Sequence, residues 1–258
     1  MKKLIFFVFI FVFVYLSVAG TDDPYLWLED VQGEKSLEWA KARNAESIKV
    51  LESVPGFKNA YKSILEILDS DKKIPYAKKY GKYLYNFWKD ADHPRGIYRR
   101  TTIEEYRKDS PAWEVVLDFD ELAKVENENW VYKGMQLLYP DYNRGLVNLS
   151  RGGSDATVVR EFNVNKKEFV KDGFNLPEAK SIIQWIDDDT VFVGTNFGPE
   201  SLTESGYPAI VKIWKRDTPL SAAKTILKGS KKSVYTYGAR LFSENGNFDI
   251  IVEANTFF

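Results

Sequence analysis

The sequence predicts a mainly β fold: a β-propeller of about three and a half blades entered through an N-terminal α-helical hairpin. Two observations carry this. From Ile74 onward, short β-branched and aromatic runs alternate with Gly, Asp, Asn and Pro signals and no further convincing helix is found, the texture of strands and tight turns. Those runs also recur. Segments 83–87 (YLYNF), 146–150 (LVNLS), 191–195 (VFVGT) and 250–254 (IIVEA) begin on average about 56 residues apart, and four strands at that period make a propeller blade longer than the WD40 type. A β-sandwich of irregular strands is the rival that spacing alone leaves open.

The elements follow in order. Residues 1–19 are set aside as a signal peptide, because Lys2 and Lys3 precede an apolar run from Leu4 to Leu16 that gives way to Ser17, Val18 and Ala19. That run is shorter than the roughly 20 residues a membrane helix needs, and Ser17 and Ala19 offer a small-x-small cleavage pattern after Ala19. An uncleaved anchor is the alternative. Residues 20–73 form the next region, with an extended aromatic stretch at 23–31 (DPYLWLEDV) followed by a helix over about 34–53 that Pro55 and Gly56 end. A second helix follows, since Phe57, Tyr61, Ile64, Leu65 and Leu68 fall on one face while Lys58, Lys62 and Glu66 face away. Residues 74–258 are the propeller. The recurring runs are second strands of blades; third strands fit at 96–101, 156–164 and 209–214, and fourth strands at 113–117, 167–170 and 225–227. Propellers usually close with about four to eight blades, so this stretch is read as a truncated ring that stops inside its fold.

Composition narrows the chemistry. The 258 residues contain no cysteine and one histidine, His93, with 36 basic and 37 acidic side chains, 44% hydrophobic and 15% aromatic residues. Such a chain can bury a core, so disorder and fibrous classes are excluded. Disulfide frameworks, zinc ribbons, iron–sulfur clusters and thiol nucleophiles are excluded too. Removing the two leader lysines leaves 34 basic against 37 acidic residues, a net charge of −3, which is no footprint for nucleic acid.

Long ordered motifs carry a resemblance. DPYLWLED at 23–30, HPRGIYRRTT at 93–102, PAWEVVLDFDELAKVENENWVYKG at 111–134, LSRGGSDATVVREF at 149–162, DGFNLPEAKS at 172–181 and SLTESGYPAIVKIWKR at 201–216 together resemble the N-terminal part of prolyl-oligopeptidase-like serine peptidases. The resemblance covers nearly the whole chain after the leader. It departs from the family pattern at Asn196, Ala209 and Asp217. It implies leading helices, then a seven-bladed propeller that limits access by size to an α/β-hydrolase domain, which supplies the Ser, Asp and His that cleave short peptides. None of those catalytic positions maps onto this sequence, so the resemblance implies a propeller that acts on a peptide substrate only together with a hydrolase domain.

The residues themselves agree. A nucleophile elbow needs Gly-x-Ser-x-Gly between strand and helix, and the nearest approach, Gly152-Gly153-Ser154-Asp155-Ala156, reads as a turn between blade strands. Asp90, Asp92 and His93 lie too close in sequence to close a metal shell without distant partners. Asp187, Asp188 and Asp189 lack the glycine and distal glutamate of a calcium loop. Ser70 with Lys73 and Ser221 with Lys224 match Ser-x-x-Lys as chance would, and Glu104 and Glu105 fit an exposed face. Arg99 and Arg100, like Arg160 and Glu161, alternate faces, so one of each pair is expected at a blade interface or the central channel, where a buried arginine needs a carboxylate. Ion pairs between blades are the leading expectation and contact with a peptide in the channel the alternative; the seven tryptophans are expected in packing between blades. No catalytic, cofactor-binding or metal-binding residue is assigned. The expected function is the propeller part of an exported, periplasmic or extracellular serine oligopeptidase, inactive alone. The alternatives are a stand-alone exported binding module, or half of a split peptidase completed by another chain.

Overall fold

A computed structural model describes residues 23–257; the signal peptide expected at 1–19 lies outside the described residues. The chain divides into two compact units, Met1–Ile64 and Leu65–Phe258.

In the first unit, the aromatic segment expected to be extended instead contains a 3-10 turn, Leu26–Glu29. Its start is set by Asp23, whose Oδ1 accepts the Tyr25 N–H at 2.8 Å, the local bond that makes Asp a turn former. The Ser36 hydroxyl donates to the Trp27 carbonyl at 2.9 Å, and the Trp27 and Trp39 rings meet edge-on with centroids 6.2 Å apart. Helix α1 (Glu34–Glu52) follows. Gly56, at φ +93°, makes the turn before α2 (Phe57–Asp69). Tyr61, Ile64, Leu65 and Leu68, the apolar face anticipated for α2, are exposed.

In the second unit every strand pairing among the described residues is antiparallel. Strands β1 (Lys78–Tyr80), β2 (Tyr83–Trp88), β3 (Ile97–Thr102) and β4 (Glu114–Asp118) form the first blade in sequence order. The second blade contains β5 (Trp130–Leu137), β6 (Arg144–Arg151), β7 (Thr157–Asn163) and β8 (Glu168–Phe169), with β9 (Asn175–Ala179) also paired to β7. The third contains β10 (Ile182–Asp187), β11 (Thr190–Gly194), β12 (Ile210–Lys215) and β13 (Lys224–Lys228), and a hairpin of β14 (Tyr235–Ser243) and β15 (Gly246–Ala254) follows. The strands expected from the repeat are present, with their ends moved by a few residues.

Two helices correct the expectation that none follows residue 74: α3 (Ile103–Tyr106) and α4 (Phe119–Glu126). Helix α4 exists because the Asp118 carboxylate accepts the Asp120 and Glu121 N–H groups at 2.9 and 3.0 Å, filling the donors a helix start leaves open. It buries Phe119 and Ala123, one helical turn apart. Strand β9 has no counterpart among the expected strands; Pro177 within it is tolerated because β9 pairs with β7 alone.

Strand alternation places the core in the seams between blades. Val147, Leu149 and Phe162 of the second blade join Tyr85, Tyr98, Phe119 and Trp130 in one cluster. Leu146 and Val159, facing the other way, join Trp185, Val191, Val193 and Trp214 of the third blade. On β11 the intervening Phe192 points to the opposite face, where its ring covers Gly238 of β14; a Cβ there would lie 2.7 Å from the ring. Of the seven tryptophans, Trp130, Trp185 and Trp214 fill seams as expected.

Candidate functional site: charged seams between the blades

The arginine and glutamate pairs of β3 and β7 divide between faces as strand geometry requires. In the first seam, Arg100 is 7% exposed; its Nε and Nη2 donate to the Glu114 carboxylate at 2.7 and 3.3 Å. Its Nη1 reaches the Tyr85 hydroxyl at 3.4 Å and, across the seam, Asn165 Oδ1 at 3.2 Å. Lys167 of the second blade also meets Glu114, at 3.1 Å. Burial opposes the Arg100 charge, but the bonds to Glu114 and Tyr85 outweigh it and hold its pKa above the usual arginine value. The same arginine bond, working against partial burial and aided by Lys167, holds the Glu114 carboxyl below its ordinary range.

Arg160 faces the same seam. Its Nη1 donates to Glu126 at the end of α4 at 2.7 Å, while the other oxygen of Glu126 accepts the Trp130 indole N–H at 2.7 Å.

The neighbouring Glu161 faces the second seam and is fully buried. It accepts Arg144 Nη1 at 3.0 Å, Arg216 Nη1 and Nη2 at 2.9 and 3.2 Å, and the Phe174 N–H at 2.8 Å. Arg216 comes from the third blade, so this carboxylate ties two sheets together through charge-assisted bonds. The chain passes closely enough here that a Cβ on Gly173 would lie 2.7 Å from Glu161 Oε2.

In the third seam, Arg240 clasps Asp249 at 2.6 and 2.8 Å and donates to the Ile186 carbonyl at 3.0 Å. Arg99 differs from these arginines. Its guanidinium lies 4.1 Å from the Trp88 ring and 4.3 Å from the Trp113 ring, and its Nε donates to Asn86. Burial lowers its pKa to about 10, and the two indole faces supply the electrostatic contact a carboxylate supplies elsewhere.

The remaining candidates take structural places. Ser154 sits in the β6–β7 turn, where Gly152 and Gly153 have φ of +68° and +93°; its hydroxyl lies 3.3 Å from that of Ser150, and its carbonyl accepts the Ser150 hydroxyl. It leads into a strand, as expected of a turn residue. His93 Nδ1 meets Asp90 Oδ1 at 2.9 Å, and Asp90 Oδ2 accepts the Trp88 indole at 2.8 Å. Among the described residues no serine hydroxyl bonds to His93, and no cluster of side chains is arranged to hold a metal ion.

Asp187 Oδ1 caps its own turn through the Asp189 N–H at 3.0 Å, while Asp188 and Asp189 flank Arg144 and Arg216. Lys73 donates to the Leu68 and Lys89 carbonyls, and the Ser70 hydroxyl accepts the Lys72 N–H, so no Ser–Lys dyad forms there. Ser221 lies in a short 3-10 turn and Lys224 opens β13. Glu105, beside Glu104 in the first turn of α3, pairs with Lys108 just past the end of that helix. Of the partners that sequence reasoning missed, Glu114 lies directly opposite Arg100 on the next strand, whereas Glu126 and Arg216 are single charged residues 34 and 55 residues along the chain from the groups they bind.

A family model described as the prolyl oligopeptidase N-terminal β-propeller domain matches residues 14–256. The chain belongs to the prolyl oligopeptidase family. It is 40% identical over 214 residues to an uncharacterized peptidase of Sinorhizobium fredii, covering 82% of this chain and 29% of that protein. It is 33% identical over 226 residues to an uncharacterized peptidase of Rickettsia prowazekii, covering 84% and 31%. Among solved structures, a post-proline cleaving enzyme from Rickettsia typhi superposes with a TM-score of 0.80 at 32% identity, over 90% of this chain and 37% of that one. The chain thus spans about a third of the length of these prolyl oligopeptidase relatives. The sheets with their charged seams are this family's propeller, which replaces the β-sandwich alternative.

Proposed function

We propose that this chain supplies the propeller of an exported prolyl-oligopeptidase-like serine peptidase, that the propeller gates the access of short peptides to a hydrolase domain, and that the chain alone hydrolyses no peptide. The observation that carries the reading is the family match across residues 14–256. It is joined by the places of the candidate nucleophile and base: Ser154 is held in a turn against Ser150, and among the described residues no serine hydroxyl bonds to His93. Acyl transfer needs a nucleophile within reach of a base and a preorganised oxyanion hole. The short charged leader of residues 2–19 supports export.

Incubating the purified chain with a proline-containing chromogenic peptide tests the catalytic part of the proposal. No turnover is expected. Turnover abolished by a serine-directed inhibitor would overturn it. Export is tested by expressing the chain with its own leader and fractionating the cells; product retained in the cytoplasm with residues 1–19 intact contradicts it.

A further inference from the structure

On the side of the propeller formed by the β1–β2, β5–β6 and β7–β8 turns, a cavity of about 400 Å³ opens where the first and second blades meet. Tyr80, Tyr83, Tyr85 and Tyr142 wall it, and Lys82, Arg100, Asn143 and Asn165 supply its polar groups. The hydrogen bonds within this wall run in one direction. Arg100 Nη1 donates to Asn165 Oδ1, and Asn165 Nδ2 in turn donates to Asn143 Oδ1 at 2.6 Å. Each amide oxygen thus already accepts one bond within the wall, and the Asn143 amide hydrogens have no acceptor among the described residues.

Arg100 also donates to the Tyr85 hydroxyl oxygen. Tyr85 is 3% exposed, and among the described residues its hydroxyl hydrogen has no acceptor, an uncommon state for a buried polar group. Burial raises the Tyr85 pKa, so the group stays a donor through the neutral range. Lys82 Nζ lies 5.2 Å from the Tyr83 ring centre with no carboxylate partner among the described residues, and Lys78 lies 5.0 Å from the centre of the Tyr80 ring. The charges around the cavity are Lys78, Lys82, Arg100 and Lys167 against Glu114, which Arg100 and Lys167 already neutralise, and Asp141 at the exposed mouth.

A wall that carries Arg100, Lys82 and the free Asn143 and Tyr85 donors, with more cations than carboxylates around it, matches an acceptor-rich anion. We infer that this cavity binds an oxyanion, and its volume of about 400 Å³ has room for an organic carboxylate as well as for a bare ion. This inference goes beyond the peptidase reading and does not rest on it.

Isothermal titration of the purified chain with N-acetylphenylalanine, N-acetylphenylalaninamide and inorganic phosphate tests it. Saturable binding of the carboxylate in the millimolar range, with the amide binding at least about tenfold more weakly, supports the inference. Phosphate binding at the same site, shown by competition, supports the oxyanion chemistry and identifies the charge as its main determinant. Tyr85→Phe removes one hydroxyl and should weaken binding about threefold to tenfold, as one lost hydrogen bond does; Lys82→Glu should weaken it further while circular dichroism and the melting temperature stay within the range of the parent. Equal binding of acid and amide, no saturable binding of either anion, or carboxylate binding unchanged in folded Lys82→Glu overturns the proposal.

Discussion

Replacing Glu161 by glutamine probes whether ion pairs hold the blades in register. Glu161 is fully buried and accepts four hydrogen bonds, three from guanidinium groups and one from the Phe174 N–H. Glutamine keeps the shape, but turns one oxygen into an amide that faces a guanidinium and leaves two arginines without their shared charge. Two charge-assisted bonds at about 1.5–3 kcal/mol each set the scale of the loss, and removal of one partner from a buried pair commonly costs about 3–5 kcal/mol. Arg144 is 37% exposed and retains Asp188, and Arg216 retains Asp189, so water and these carboxylates recover part. A destabilisation of about 3 kcal/mol is expected, measured by urea unfolding. At about 2–4 °C per kcal/mol for a domain of this size, the melting temperature should fall by about 6–12 °C. A cycle with Arg216→Met separates the pair from its surroundings: the double variant should be at least about 1 kcal/mol more stable than the sum of the single losses predicts. A loss below about 0.5 kcal/mol for Glu161→Gln, or strict additivity in the cycle, refutes the argument that this carboxylate couples the second and third blades.

Two further outcomes follow from the same structure. Glu114 is held below its ordinary pKa by Arg100, with Lys167 adding to the effect; because its folded value lies below the unfolded one, near 4.3, the stability it contributes is full above that unfolded value and is lost as pH falls through the folded one. Urea midpoints of the parent and Glu114→Gln should therefore differ at pH 7 and converge below about pH 4, and a gap that widens on acidification contradicts this. Asp118→Ala removes the carboxylate that accepts the Asp120 and Glu121 N–H groups at the start of α4. It should destabilise the chain by about 1 kcal/mol, read in the same denaturation assay, and an unchanged midpoint would mean that the cap is replaced by water without loss.

The propeller was legible because its signal repeats. Segments such as VFVGT place Val191 and Val193 in one seam and Phe192 in the next, and an apolar run of this kind returns four times in the sequence, although the fourth, on β15, is largely exposed. Helix α4 escaped because its signals are local and few: one capping Asp and the Phe119 to Ala123 spacing, within a segment of eight residues that also scans as part of a strand and turn. The 3-10 turn at Leu26–Glu29 escaped for a similar reason, since four residues closed by one Asp bond carry no periodicity. The alternation of Arg160 and Glu161 correctly predicted opposite faces, but the partners Glu126 and Arg216 lie 34 and 55 residues away. Only the stacking of blades brings them into reach.

That division of labour suggests why the seams mix two kinds of contact. Aromatic and aliphatic burial in the middle of each seam is non-directional and drives blades together, yet it tolerates sliding of one twisted sheet on the next. The charged contacts at Arg100, Arg160, Glu161 and Arg240 are directional and have few alternative geometries. Glu161 illustrates the point: Gly173 must lack a side chain for the turn to reach it, and Phe174 both donates its N–H to the carboxylate and lays its ring under Arg216, 4.6 Å from the guanidinium carbon. A shift of either blade by one residue would leave this carboxylate buried without its cations, at a penalty that apolar repacking nearby would not offset. The ion pairs that cross a seam, Arg160 with Glu126, Lys167 with Glu114 and Arg216 with Glu161, are therefore better understood as setting the angle between blades than as the main source of their cohesion, whereas Arg100 with Glu114 and Arg240 with Asp249 pair within one sheet.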